Sequence, residues 1–171
     1  MTDRNSIIGE LEFRDAMSRM ASTVCVLTAR NGDDDVGITV TSVQAVSDSP
    51  ALLLACVNTR SRLIAAMETS GLLGVSVLGA DDVPIAKSFA RPGRGTDEFD
   101  PAEWRRSASG IMVMRHAITI FECSVEKASR FGTHLVVVGM VRSCVNGTGS
   151  PLMYCNREFS ALTSATPLSF A

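Results

Sequence analysis

The feature that most restricts this chain is a succession of short β-rich runs separated by turn signals. The runs are residues 23–29 (TVCVLTA), 38–45 (ITVTSVQA), 51–57 (ALLLACV), 72–78 (LLGVSVL), a longer stretch within 110–131, 135–141 (LVVVGMV) and 152–155 (LMYC). Asn31-Gly32, Ser49-Pro50 and the segment from Asn146 to Pro151 lie between runs, and asparagine, glycine and proline at such points reverse the chain. Runs joined by turns pair antiparallel, whereas parallel partners need a crossover of a dozen or more residues. The pattern predicts a mainly β fold of about six or seven strands, an antiparallel barrel or sandwich with flanking helices. The 171 residues suit a single domain, 1–171, large enough to bury a core without staples.

Short helices are predicted at three places. Residues 10–21 put Phe13, Met17 and Met20 on one helical face with charges opposite. Residues 61–71 space Leu63 and Met67 by one turn, with Thr59 or Ser61 as a cap and Gly71 just past the end. Residues 81–90 have Pro84 in the first turn and Ile85 and Phe89 on one face. The polar segment around Trp104 carries no readable period. No Gly-x-Gly-x-x-Gly follows a strand, which sets aside a dinucleotide-binding βαβ fold.

Residues 37–61, GITVTSVQAVSDSPALLLACVNTRS, say most about function. Ile38 and Val40 share one strand parity, Val43 and Ala45 the other. A strand changes face at every residue, so the slip predicts a bulge near Ser42. Thr39, Thr41, Ser42 and Gln44 make the stretch more polar than a core strand requires. A half-exposed sheet face accounts for them without a ligand, because threonine is a good strand former. The next run, 51–57, is apolar throughout and predicts a strand buried on both faces. It ends in Asn58-Thr59-Arg60-Ser61-Arg62 before a helix. A helix N-terminus offers unpaired N–H groups and partial positive charge, and hydroxyls and arginines there suit a phosphate. A capped helix with two solvated arginines is the plainer account of the pentapeptide alone. The two features together suggest a phosphorylated ring cofactor, without identifying it.

Other classes find little support. A net charge of −2 lacks the basic surplus of a nucleic-acid binder. No apolar run approaches the roughly 20 residues of a membrane helix. The first residues, MTDRNSIIGELEFRD, carry early acids and no apolar signal core, which predicts a cytoplasmic protein. Cys25, Cys56, Cys123, Cys144 and Cys155 form no Cys-x-x-Cys pair and read as small hydrophobes in a reducing compartment. His116 and His134 have no acidic partner motif, so no metal site is expected. His134 follows the turn Phe131-Gly132-Thr133 and precedes an apolar strand, a rim position. A hydrogen-bonded structural role is the plain reading of it.

Taken in order, FRDAMSRMASTVCVLTA, GITVTSVQAVSDSPALLLACVNTRS, AKSFA, FECSV, GTHLVVVGMV and PLMYCNREFSAL resemble the short-chain flavin reductases of the FMN-binding split-barrel superfamily. The resemblance spans roughly residues 11–163 and is nearest the reductase components of two-component flavin-dependent monooxygenases, of the 4-hydroxyphenylacetate 3-monooxygenase kind. It implies a six-stranded antiparallel Greek-key split barrel with flanking helices, a homodimer, and a flavin, FAD or FMN, near the subunit interface. It implies that Thr39, Val40, Thr41 and Ser42 line the isoalloxazine ring, and that Cys56, Val57 and Asn58 run beside the ring and ribityl chain. Ser61, with Arg60 or Arg62, would meet the phosphate. Lys87, Phe89 and Ala90 would lie on the phosphate or adenylate side, and Tyr154 near the site. His134 matches the family's Gly-x-His motif, close to where the nicotinamide of NADH or NADPH stacks, and would position or polarise it. The reduced flavin would pass to a separate oxygenase acting on an aromatic, phenolic substrate. The loop at 91–97 becomes a candidate gate for nicotinamide access. Two rival readings stay open: an FMN-dependent oxidase of the pyridoxamine-phosphate-oxidase kind, and a flavin-binding module without enzymatic activity.

Overall fold

The computed structural model describes residues 8–91 and 99–162; most of the loop at 91–97 lies outside them. In chain order the elements are α1 (Glu10–Ser18), β1 (Ser22–Thr23), β2 (Cys25–Asn31), β3 (Asp34–Val40), β4 (Val43–Asp48), β5 (Ala51–Asn58), α2 (Leu63–Ser70), β6 (Leu72–Val77), α3 (Val83–Phe89), β7 (Trp104–Arg106), β8 (Met112–Met114), β9 (Thr119–Phe131), β10 (His134–Asn146), β11 (Leu152–Cys155) and β12 (Glu158–Ala161).

Seven strands form one antiparallel sheet in the order β3-β2-β6-β9-β10-β5-β4. Its edge strands, β3 and β4, are consecutive in the chain and joined only by Thr41 and Ser42. Three Cα–Cα steps, from Val40 to Val43, span at most ~11 Å, so the sheet must curl until its edges meet. The joint is pinned to β5: the Cys56 N–H donates to the Ser42 carbonyl (3.2 Å), and the Ser42 hydroxyl donates to the Cys56 carbonyl (3.2 Å). With β3 and β4 taken as one bent strand, the barrel has the six strands that the resemblance implied. β6 returns through α2 to lie beside β2, which is the Greek-key order 4-1-2-3.

The alternation of β2 shows how the wall separates two cores. Cys25, Leu27 and Ala29 face the barrel interior with Leu53, Ala55, Val57, Leu73, Val75 and Val137, while Leu63, Ala66 and Met67 of α2 pack against them. Val24 and Val26 face the other way, into a second core with Leu78, Ala86, Phe89, Phe99, Trp104 and Leu152. Gly37 permits this second core to press against the wall, since a Cβ there would lie 2.6 Å from the Phe89 ring. The segment around Trp104 thus folds as the β7–β8 hairpin, held to the barrel by the Thr28 hydroxyl donating to the Met112 carbonyl (2.7 Å) and by an Arg106–Asp35 ion pair. β1, β11 and β12 form a small separate sheet.

Several sequence readings change in detail. The parity slip near Ser42 marks the β3–β4 joint, where the strand leaves one sheet edge for the other; the register shift itself falls between Ala45 and Ser47. Strand 51–57 is buried on one face only: Leu53, Ala55 and Val57 are buried, but Leu52, Leu54 and Cys56 are half-exposed. The run within 110–131 is two strands, broken between Met114 and Thr119. α1 ends at Ser18 and buries none of its residues; Phe13, Met17 and Met20 are all exposed. All five cysteines are free, with Cys25 and Cys123 buried. Burial pushes the Cys25 thiol up to about 12, and burial with the Glu122 carboxylate does the same for Cys123, so neither serves as a nucleophile. No described helix is long and apolar enough to cross a membrane.

Candidate functional site

Six residues singled out from the sequence line one open cleft of about 420 Å³: Thr39, Val40, Thr41, Lys87, Ala90 and Tyr154. Three elements bring them together. Thr39 and Val40 end β3, and Thr41 belongs to neither β3 nor β4, so its backbone polar groups lie outside both ladders and are available to a ligand. Lys87 comes from the last turn of α3, where a cation suits the helix dipole. α3 is tied to β3 by the Thr39 hydroxyl, which donates to the Ala86 carbonyl (2.7 Å). Tyr154 comes from β11, whose pairing with β1 and β12 sets it at the cleft wall.

Four cleft residues were not singled out from sequence: Val24, Arg91, Arg157 and Phe159. Phe159 pairs with Tyr154 across the β11–β12 hairpin, ring centroids 5.1 Å apart. The signal was an apolar run, Leu152 to Cys155, before Asn156-Arg157 and a polar–apolar alternation, Glu158 to Ala161, after it. It is a weak signal because the favoured two-residue turn is Asn-Gly. Among the described residues the lining includes Lys87, Arg91 and Arg157 and no carboxylate, which makes that wall of the cleft electropositive.

Asn58, Arg60 and His134 line a second depression of about 880 Å³, with Phe13 and Arg14 of α1 and Arg130. His134 begins β10 directly opposite Asn58. Its Nδ1 lies 2.9 Å from the Thr133 hydroxyl. The Thr133 carbonyl accepts from both the N–H (2.9 Å) and the hydroxyl (3.2 Å) of Thr59. The turn carrying His134 is therefore fastened to the loop after β5. Ser42, which follows Thr41 of the first cleft, is hydrogen-bonded to Cys56, and Cys56 is two residues, ~7 Å of strand, from Asn58 of the second.

The remaining expected residues divide differently. Val57 is fully buried in the barrel, and Phe89 packs at 5.1 Å from both Phe99 and Trp104. Phe89 underlies the cleft instead of lining it. The Ser61 hydroxyl accepts from the Leu63 N–H (3.2 Å), and Asn58 Oδ1 accepts from the Arg60 N–H (2.9 Å). Both groups organise the turn into α2, and Ser61 does the capping. Arg62 immediately precedes that helix and is exposed. His116 is exposed and apart from both depressions. Among the described residues no cluster of three metal-ligating side chains occurs.

The profile of the flavin reductase like domain matches residues 17–163. The chain is 35% identical over 155 residues to the actinorhodin polyketide dimerase of Streptomyces coelicolor, covering 90% of this chain and 86% of that one. It is 35% identical over 156 residues to the reductase component of the FADH(2)-dependent resorcinol hydroxylase of a Rhizobium species, covering 90% and 87%. Among solved structures, BorF, the flavin reductase component of a bacterial two-component tryptophan halogenase, superposes with a TM-score of 0.85 at 30% identity, covering 92% of this chain and all of that one. With its curled barrel and cation-lined cleft, the chain belongs to the flavin reductase like domain family.

Proposed function

We propose that the protein is an NAD(P)H-dependent flavin reductase that reduces FAD or FMN and releases it to a separate oxygenase acting on an aromatic substrate. The observation that carries this reading is the cleft at the β3–β4 joint. Among the described residues it combines unladdered backbone, hydroxyls, an aromatic pair and cations without a carboxylate, a donor set that fits a planar ring bearing a phosphate. Bound flavin supplies the hydride acceptor and the nicotinamide nucleotide the donor, so the chain supplies position and electrostatics. Thr39, Val40, Thr41 and Ser42 hold the ring edge, and their fixed N–H groups stabilise negative charge there. Cys56, Val57 and Asn58 continue along β5 toward the second depression, with Val57 contributing only backbone. Lys87 and Ala90 close the phosphate side of the first cleft; Arg60 lines the second, with Ser61 and Arg62 next to it in the chain. His134, oriented by Thr133, holds the nicotinamide.

The test is purified protein with NADH or NADPH and added riboflavin, FMN or FAD, followed by loss of reduced-nicotinamide absorbance. Flavin-dependent loss is expected; tight flavin binding with no nicotinamide oxidation would favour the silent binding module. In His134→Ala, turnover should fall roughly tenfold, less than the ~100-fold that a 1 Å misplacement of the reactants can cost, while flavin affinity stays unchanged. Full turnover in that variant would remove His134 from the mechanism.

The working form we infer is a homodimer in the cytoplasm, a reducing compartment that suits five free cysteines. Leu52, Leu54 and Cys56 of β5 lie in register with Met140, Val138 and Val136 of β10, and all six are only half-buried. A contiguous apolar face of this kind marks an association surface. Leu54→Glu is expected to sediment as a monomer; an unchanged dimer would place the interface elsewhere.

A further inference from the structure

We propose that Arg157, together with Lys87 and Arg91, grips a phosphoryl group of a nucleotide in the first cleft and so selects phosphorylated over unphosphorylated ring compounds. The assignment rests on reading that cleft as the nucleotide site.

Arg157 occupies the second position of a two-residue hairpin turn. Asn156 and Arg157 have φ of 51° and 65°, the left-handed pair that such a turn requires. Glycine takes the second position without steric cost, while any side chain there costs free energy. Left-handed non-glycine residues persist where surrounding structure holds them, and they gather at ligand clamps. Here the hairpin is held at three points. The Asn156 N–H donates to the Ser18 carbonyl at the end of α1 (2.5 Å), the Cys155 thiol lies 3.4 Å from the Arg19 carbonyl, and the Arg157 guanidinium meets Asp15 at 3.4 Å.

The charge arrangement supplies the second argument. Asp15 is shared between Arg157 and Arg19, each at 3.4 Å, and these side chains are all more than half exposed. Such a pair is screened and weak, so it orients Arg157 without neutralising it. Lys87 and Arg91 have no carboxylate partner among the described residues. Three cations converging on one cleft repel each other until an anion enters. A phosphoryl group with two negative charges meets that demand, and arginine presents paired donors to it. Tyr154 and Phe159, on the same hairpin, offer an aromatic wall for the attached ring. The phosphoryl group can belong to the flavin or to the nicotinamide nucleotide.

The experiment uses the full chain and its Arg157→Gly variant, which removes the guanidinium and also relieves the left-handed backbone, so the hairpin keeps its fold. Binding of riboflavin, FMN and FAD is measured by quenching of flavin fluorescence, and KM is measured for NADH and NADPH. A flavin phosphate in the cleft is expected to raise Kd for FMN and FAD roughly tenfold or more, the loss of one charge-assisted contact, with riboflavin unchanged. A nicotinamide nucleotide in the cleft would instead raise KM for the nucleotides at unchanged flavin affinity. Arg157→Lys should recover part of either loss, and Asp15→Asn should tighten the affected ligand. Equal weakening of all three flavins, or no change in any ligand, would overturn the assignment. Wild-type protein that binds none of the flavins would overturn the cleft reading itself, which separates the two failures.

Discussion

Trp104→Ala is expected to destabilise the protein by about 4 kcal/mol, the usual cost of emptying a large buried aromatic site. Trp104 is 1% exposed, and its ring lies 5.0 Å from Phe99 and 5.1 Å from Phe89. Its neighbours cannot collapse freely into the void, because Phe89 is already pressed against Gly37 of the barrel wall. The effect should reach the cleft. Phe89 and Lys87 share α3, so a loosened aromatic cluster lets the cation shift and weakens flavin binding as well. Chemical denaturation together with flavin titration tests both parts. A loss below about 1.5 kcal/mol would mean that the β7–β8 hairpin is a dispensable cover.

The second large effect lies at the other attachment of that hairpin. Arg106 meets Asp35 through two parallel bonds, Nη1 to Oδ1 at 3.0 Å and Nη2 to Oδ2 at 2.7 Å, and also donates to the Gly110 carbonyl at 2.8 Å. The bond to Asp35 raises the Arg106 pKa further above its ordinary value, against the opposing effect of burial. The Asp35 side chain is only 9% exposed, so Arg106→Met would strand a nearly buried carboxylate. Breaking a fully buried pair costs about 3–5 kcal/mol. The Arg106 side chain is 41% exposed, and water can partly replace it, which brings the expected loss to about 2 kcal/mol. Adding Asp35→Asn should return part of that loss, since the stranded charge goes with it. Additive losses in the double variant would show that the two side chains act independently.

Much of the barrel was legible in the chain. Alternating or continuous apolar runs mark strands because burial of one or both faces leaves a two-residue or unbroken pattern. Thus β2, β5, β6 and β10 were readable, and glycine, proline and cap residues marked most of their ends. The β7–β8 hairpin was not, because its stability comes from distant partners: Thr28, Asp35, Phe89 and Phe99. β11 was readable as the run 152–155, but β12 and the hairpin that it makes with β11 escaped notice for a related reason. Its turn residues are Asn and Arg, and the left-handed conformation of Arg157 is imposed by α1 and β1 instead of by local preference.

The candidate site divides along the same line. Thr39, Thr41 and Ser42 stood out because their polarity and parity conflict with a plain core strand, and that conflict is local. The chain alone thus determined a turn-linked antiparallel β domain, the polar interruption at residues 39–42, the capped turn before α2 and the rim position of His134. Only the tertiary structure decided that the interruption is the point where the sheet closes on itself. It alone turned Phe89 inward, exposed one face of β5, and carried Arg157 across seventy residues of sequence to the cleft that Lys87 lines. Periodicity reports how each residue stands relative to its near neighbours. Which cations converge on one cleft depends on sheet closure and long-range packing, and no local pattern encodes that.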